Sequence, residues 1–177
     1  LRQELVDQGH AFHSETDTEV IPHLIEQELR ATGDFASAVR SACARFEGRY
    51  AILALHTESN TLVAARTGSP LIVGVGKDNE YFIASDTQAF LDHTRTVQYL
   101  DDGEMVVTDG SSILFTDIAT GEERPKREIA ITWSVEEAQK GEYAHFMLKE
   151  IMEQKESIAR AVNQDEEQIR ILADAIN

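Results

Sequence analysis

The sequence predicts an α+β fold with layered packing, because its apolar pattern changes once near residue 48. Before that residue, apolar side chains recur every three or four positions, as they do along amphipathic helices. After it, short apolar or β-branched segments alternate with turn-forming residues, which is typical of an antiparallel meander. A run of helices followed by a run of strands favours the α+β class.

Three helices are predicted before residue 50, each ended by a glycine. The predicted helices with their terminating glycines are 1–8 with Gly9, 18–31 with Gly33, and 35–46 with Gly48. Pro22 lies close enough to the start of the second helix to be tolerated there. Asp34 can cap the third helix, and residues 11–13 are expected to form a short strand.

Seven strands are predicted in the meander. They are residues 50–55, 61–66, 71–75, 81–85, 96–100, 104–108 and 112–116. The pair Asp109-Gly110 is the signal of a two-residue hairpin between the last two strands. Asp86, after the fourth strand, is expected to cap a short helix over residues 87–91.

The helical pattern returns after an exposed polar turn near residue 125. Residues 132–141 are predicted to be a linker, and residues 142–177 the first helices of a second domain. One long helix is expected over residues 143–161, and Asp165 can cap another that runs to residue 176. Because the sequence does not start with methionine, we expect it to begin within a longer protein.

The composition is typical of a globular protein and argues against some classes of partner. The chain has 177 residues, 42% of them apolar, enough for a buried core without disulfides. Its net charge of −16 argues against nucleic acid or an anionic membrane as a partner. The apolar runs are too short to span a bilayer. A single cysteine, Cys43, is expected to be buried in a helix, which fits a reducing cytoplasm.

No metal or cofactor motif stands out. The six histidines do not recur at zinc-ligand spacing with cysteine or carboxylate partners, so no metal site is predicted. Gly74-Val75-Gly76 lacks the third glycine and the following helix of a dinucleotide fingerprint. We therefore expect no cofactor.

The most informative segment is the run at residues 14–21, where hydroxyls and carboxylates crowd the start of the second helix. Thr16 or Asp17 can cap that helix, and Glu19 suits its first turn, near the positive end of the helix dipole. Asp17 has a second interpretation, because a carboxylate at this junction can hold the ammonium group of an amino-acid ligand. The residues alone leave both interpretations open.

Six segments together resemble the glutamine:fructose-6-phosphate aminotransferases, in the order in which that family carries them. They are residues 9–12, 14–24, 64–71, 82–86, 99–104 and 143–154. The last is the most specific, because it resembles the junction between the glutaminase and sugar-isomerase domains. Lys155 departs from the family, which usually has proline there.

The resemblance implies a fold and a division into domains. The fold is that of the N-terminal nucleophile hydrolases, a four-layer sandwich of antiparallel sheets between helices, here incomplete at its N-terminus and followed by trailing helices. Residues 1–131 would be part of a class II glutamine amidotransferase domain, residues 132–141 the linker, and residues 142–177 the first helices of the isomerase domain.

The resemblance also implies a chemistry. In that family an N-terminal cysteine attacks the side-chain amide of glutamine, and its own α-amino group acts as the base. Leu1 cannot take that role, so no catalytic residue is assigned here and the chain alone is expected to be inactive. Asp17 matches the aspartate that holds the α-amino group of glutamine.

The resulting hypothesis is part of an enzyme that makes glucosamine 6-phosphate and glutamate from fructose 6-phosphate and glutamine. That enzyme would be cytoplasmic, and a homodimer is expected because exposed sheet edges favour pairing. The alternative is a non-catalytic amino-acid-binding or assembly module derived from a glutaminase domain. A third interpretation is another glutaminase, such as one that forms phosphoribosylamine or asparagine.

Overall fold

The computed structural model describes residues 1–132, 141, 143–163 and 170 of the chain. The chain divides into two compact units, Leu1–Thr132 and Trp133–Asn177. The helices of the first unit are α1 (Arg2–Asp7), α2 (Val20–Thr32) and α3 (Phe35–Cys43). Its strands are β1 (Tyr50–His56), β2 (Thr61–Thr67), β3 (Ile72–Val75), β4 (Tyr81–Ala84), β5 (Thr96–Tyr99), β6 (Glu104–Thr108), β7 (Ile113–Asp117) and β8 (Ile129–Ala130). In the second unit, α4 covers Phe146–Val162.

The strands form two antiparallel sheets of four. The first sheet has the order β1-β2-β6-β7 and the second the order β4-β3-β5-β8. The α+β class and all seven predicted strands are confirmed. The eighth strand was not predicted, because its two residues are too few to show an alternating pattern and it exists only through pairing of Ile129 with Val97 and of Ala130 with Thr96.

The first unit is built in layers, with the first sheet in the middle. Consecutive residues of β2 are fully buried because both faces of that sheet are covered: Val63 and Ala65 lie with the helices, and Ala64 lies toward the second sheet. The helix-side core is formed mainly by Leu5, Leu24, Ile25, Phe35, Val39, Ala42, Val63 and Met105. The core between the sheets is formed by Ala64, Leu71, Val73, Leu100, Val106 and Phe115.

The opposite face of the second sheet is covered by a short segment that follows β4. Asp86 accepts a hydrogen bond from Gln88 N at 2.9 Å and so caps the 3-10 turn Thr87–Ala89, as predicted. Phe90, which is buried, then packs on Gly74 of β3, where an added Cβ would lie 2.8 Å from the ring. A glycine is therefore required for this close approach.

Two of the segments that carry the family resemblance are held together by Arg66. Its guanidinium donates to Ser69 O at 2.5 Å and to Leu100 O at 2.6 Å. It also pairs with Asp102, whose Oδ1 accepts from Gly68 N at 2.8 Å. The loop after β2 and the loop before β6 are thus fixed to each other.

Several predicted boundaries and turns were wrong. Residues 11–13 are irregular rather than a strand, α3 ends at Cys43 rather than near residue 46, and α4 starts at Phe146 rather than at 143. The β6–β7 loop has four residues, because Asp109 Oδ1 accepts from Ser111 N at 2.9 Å and from Ser112 N at 3.2 Å. The predicted helix over 165–176 and most of the linker over 132–141 lie outside the described residues.

The predicted cap of α3 and the predicted glycine after α2 are confirmed, whereas Gly48 does not end α3. Asp34 accepts from Ser37 N at 2.8 Å and caps α3. Gly33 closes α2 with a φ of +70°, in the left-handed region. None of the helices in the described part of the chain is long and apolar enough to cross a membrane.

Candidate functional site

Asp17 is the first residue of a 3-10 turn, Asp17–Glu19, that leads into α2. Thr16 provides the cap of this turn, because its Oγ1 accepts from Thr18 N at 3.2 Å. The capping interpretation of Asp17 is therefore wrong. Its side chain is exposed, and among the residues that the structure describes its carboxylate has no hydrogen-bond or ion-pair partner. It is free to accept a ligand.

Glu19 fixes the loop that carries Asp17. Its carboxylate accepts from His13 N at 2.7 Å, from Ser14 N at 2.9 Å and from Ser14 Oγ at 2.6 Å. The Ser14 hydroxyl and the His13 amide, as donors to the charged form, lower the pKa of Glu19 to about 2. The sequence placed Glu19 in a first helical turn, and the structure shows that its partners lie in the preceding loop.

Arg2 of α1 holds the same loop from the other side, a role that the sequence did not reveal. Its guanidinium donates to Thr16 O at 3.2 Å and to Ser14 O, and it lies 4.5 Å from the centre of the Phe12 ring. Arg2 also lies 3.8 Å from Glu19. Because these partners are 10 to 17 positions away, no local pattern could have indicated them.

Two histidines and a glutamate lie next to this loop. His10 Nδ1 is 3.1 Å from His23 Nδ1 and 3.8 Å from Glu26 Oε2. His23 also packs against Phe12, with ring centres 4.4 Å apart. The sequence predicted no metal site, and the structure brings together three side chains with ligand atoms within 4.8 Å of one another.

Cys43 is on the helix side of the core, as predicted, and 4% exposed. Burial raises the pKa of its thiol to about 11. A buried neutral thiol is a poor nucleophile, so Cys43 does not provide a reactive thiolate. The exposed carboxylate of Asp17 is suited to binding a cation, whereas the chain's single cysteine is buried in the core.

Residues 1–92 match the family of proteins described as the glutamine amidotransferase domain. The chain belongs to this family. The match covers α1 to α3, the first four strands and the loop that carries Asp17, which is the part where the predicted site lies.

Three relatives of this amidotransferase chain share the same name. The protein from Pyrococcus horikoshii, named glutamine–fructose-6-phosphate aminotransferase (isomerizing), is 47% identical over 92% of the chain. The protein of the same name from Thermococcus kodakarensis is 44% identical over 99% of the chain. The protein of that name from Methanothermobacter thermautotrophicus is 46% identical over 97% of it. The chain spans 27%, 29% and 29% of the length of these three relatives.

Proposed function

We propose that this chain is part of a glutamine–fructose-6-phosphate aminotransferase, which converts fructose 6-phosphate and glutamine into glucosamine 6-phosphate and glutamate. The observation that carries the proposal is the extent of the similarity. It covers 99% of the chain in the Thermococcus relative and therefore continues well beyond residue 92, where the amidotransferase match ends.

Asp17 is proposed to hold the α-amino group of glutamine. Its carboxylate is exposed, has no partner among the described residues and is carried on a loop fixed by Arg2 and Glu19. A fixed carboxylate binds an ammonium group well, because little side-chain or loop freedom remains to be lost on binding. The charge-assisted hydrogen bonds also give direction.

The covalent step on the glutamine amide requires an activated nucleophile, which in the family is a cysteine thiolate and which Cys43 does not provide. Cys43 is buried, its pKa is raised, and it belongs to the core. The residues of this chain are therefore proposed to bind and orient glutamine. The 177-residue chain by itself is expected to release no glutamate from it.

The finer fold and domain assignments belong to the same proposal. The helix layer and the two stacked sheets support a four-layer sandwich of the N-terminal nucleophile hydrolase type. Residues 1–131 would be the glutaminase part, residues 132–141 the linker, and residues 142–177 the first helices of the isomerase domain. The similarity of the relatives through this region supports that division.

A homodimer in the cytoplasm is also proposed. β1 is at the edge of the first sheet, and its Leu53 and Leu55 side chains are 50% and 61% exposed. An apolar edge strand favours pairing with a second copy. The single cysteine is consistent with a reducing compartment.

The alternative of a non-catalytic binding module is not favoured, since the relatives are named as aminotransferases. The same names argue against a different glutaminase. To test the proposal, the protein that carries this chain is supplied with fructose 6-phosphate and glutamine, and glucosamine 6-phosphate is measured. Its formation, with none from the 177-residue chain, is the expected result. Glutamate release without amino sugar would instead support a different glutaminase, and no turnover with retained glutamine binding would support the module.

A further inference from the structure

The three side chains beside the Asp17 loop are preorganised in a way that their positions in the sequence do not suggest. His23 and Glu26 are three residues apart on α2 and so share one face of the helix. His10 comes from the loop after α1 and brings its Nδ1 to 3.1 Å from His23 Nδ1. The side chain of His10 is 9% exposed and that of Glu26 is 52% exposed, so the cluster has one wall of protein and one side open to solvent.

The separations suit a shared metal ion. Two nitrogens 3.1 Å apart, each about 2.05 Å from a zinc ion, subtend an angle of about 100° at the metal, between octahedral and tetrahedral values. The 3.8 Å between His10 Nδ1 and Glu26 Oε2 corresponds to about 130°, and Glu26, whose other oxygen pairs with Arg30 at 2.5 Å, has to rotate to reduce that angle. Two imidazoles and one carboxylate are ligands that zinc accepts.

A second carboxylate lies near the other ring nitrogen of one of these histidines. Glu19 Oε1 lies 4.0 Å from His23 Nε2, the nitrogen that faces away from His10. Metal-binding histidines commonly direct their other nitrogen to a carboxylate, which fixes the tautomer and the ring orientation. The same Glu19 carboxylate accepts from Ser14 N, so it connects the cluster to the loop that carries Asp17.

We propose that His10, His23 and Glu26 bind one divalent transition-metal ion of the zinc class, with Glu19 as the outer partner of His23. The ion joins the loop after α1 to α2, with water completing its coordination on the open side. It is a structural site that stabilises the loop, and this proposal does not rest on the aminotransferase function proposed above.

The test is a titration of Zn²⁺ into the metal-free 177-residue chain by calorimetry, followed by thermal unfolding with and without the metal. We expect one ion per chain and a higher midpoint of unfolding with zinc, because a ligand that binds only the folded state stabilises it. His10→Gln and His23→Gln should each weaken zinc binding at least tenfold, and Glu26→Gln should do so as well. Glu19→Gln should weaken it by about tenfold or more, as outer-partner changes do.

His13→Gln is the matched control, since His13 is an exposed histidine of the same loop and lies outside the cluster. It should leave the affinity and the zinc-dependent stabilisation unchanged. Glu26→Gln is the decisive variant because its half-exposed side chain can be replaced without disturbing the core, and circular dichroism checks that each variant is folded. If the folded Glu26→Gln protein binds zinc as tightly as the original, or if His13→Gln weakens binding equally, the proposal is wrong.

Discussion

At the scale of single residues, the surroundings of Asp17 leave its carboxylate available for the binding role that we propose for it. Thr16 takes over the capping bond, and Glu19 and Arg2 hold the loop. The Asp17 carboxylate is consequently left without a partner among the described residues at a defined position on the surface.

Asp17→Asn in the parent enzyme is predicted to raise the KM for glutamine by about 10- to 100-fold, since a hydrogen bond to a charged group is worth about 1.5–3 kcal/mol. The KM for fructose 6-phosphate should not change. Steady-state kinetics with each substrate varied in turn measures both values. Glu15→Gln removes a neighbouring exposed carboxylate and is the control. An unchanged glutamine KM in Asp17→Asn would exclude the proposed role.

Asp34 gives a prediction about pH. The backbone N–H of Ser37 holds the pKa of Asp34 below its ordinary value, so its capping contribution is complete above that value and is lost as the pH falls through the lowered one. Asp34→Ala should lower the free energy of unfolding by about 1 kcal/mol at pH 7. The difference from the original protein should shrink below about pH 4, as measured by urea unfolding across pH. Asp34→Asn keeps an uncharged cap and should remove this pH dependence.

The buried ion pair of Lys126 and Glu104 leads to a prediction about stability. Their side chains are 13% and 7% exposed, and the Nζ–Oε2 distance is 2.5 Å. Lys126→Met leaves the buried carboxylate without its cation, and we expect a loss of about 3 kcal/mol in the free energy of unfolding. Adding Glu104→Gln should recover much of this loss, because the amide oxygen can still accept from Asp101 N. Equal stability of the single and double variants would contradict this account.

At the scale of elements, the packing of β3 requires Gly74, although glycine is an unfavourable residue within a strand. An alanine Cβ at Gly74 would meet the Phe90 ring at 2.8 Å and Thr94 Cγ2 at 2.9 Å. Gly74→Ala should therefore destabilise the fold by about 1–3 kcal/mol, although the same change in an uncrowded strand stabilises. Chemical denaturation measures the change in the free energy of unfolding. The double variant Gly74→Ala, Phe90→Leu should be less destabilised than Gly74→Ala alone. A neutral or stabilising single change would show that the segment after β4 does not pack on this face.

At the scale of the whole molecule, the exposed apolar edge at β1 predicts association. Sedimentation velocity of the 177-residue chain should show a dimer, and Leu53→Lys with Leu55→Lys should shift it to monomer, because charges on an edge strand oppose pairing. Val6→Lys changes an exposed apolar residue of α1, away from either sheet edge, and should leave the dimer intact. A stable monomer at high concentration before any substitution would contradict the prediction.

The sequence by itself determined the α+β class, the order of helices and strands, and the capping of α3 and of the turn after β4. These features depend on local chemistry: the repeat of apolar residues, a carboxylate one position before a helix, and a glycine after it. The resemblance of six segments was also enough to indicate the amidotransferase family, which the match over residues 1–92 confirms.

Only the tertiary structure decided what depends on residues far apart in the chain. Arg2 meets Ser14 and Thr16, Glu19 turns back to His13, and His10 meets His23 and Glu26, none of which a local pattern specifies. The two-residue strand β8 and the four-residue loop after β6 are likewise set by pairing and by side-chain hydrogen bonds. Local periodicity indicates which residues face inward, whereas the choice of partner depends on how the layers pack.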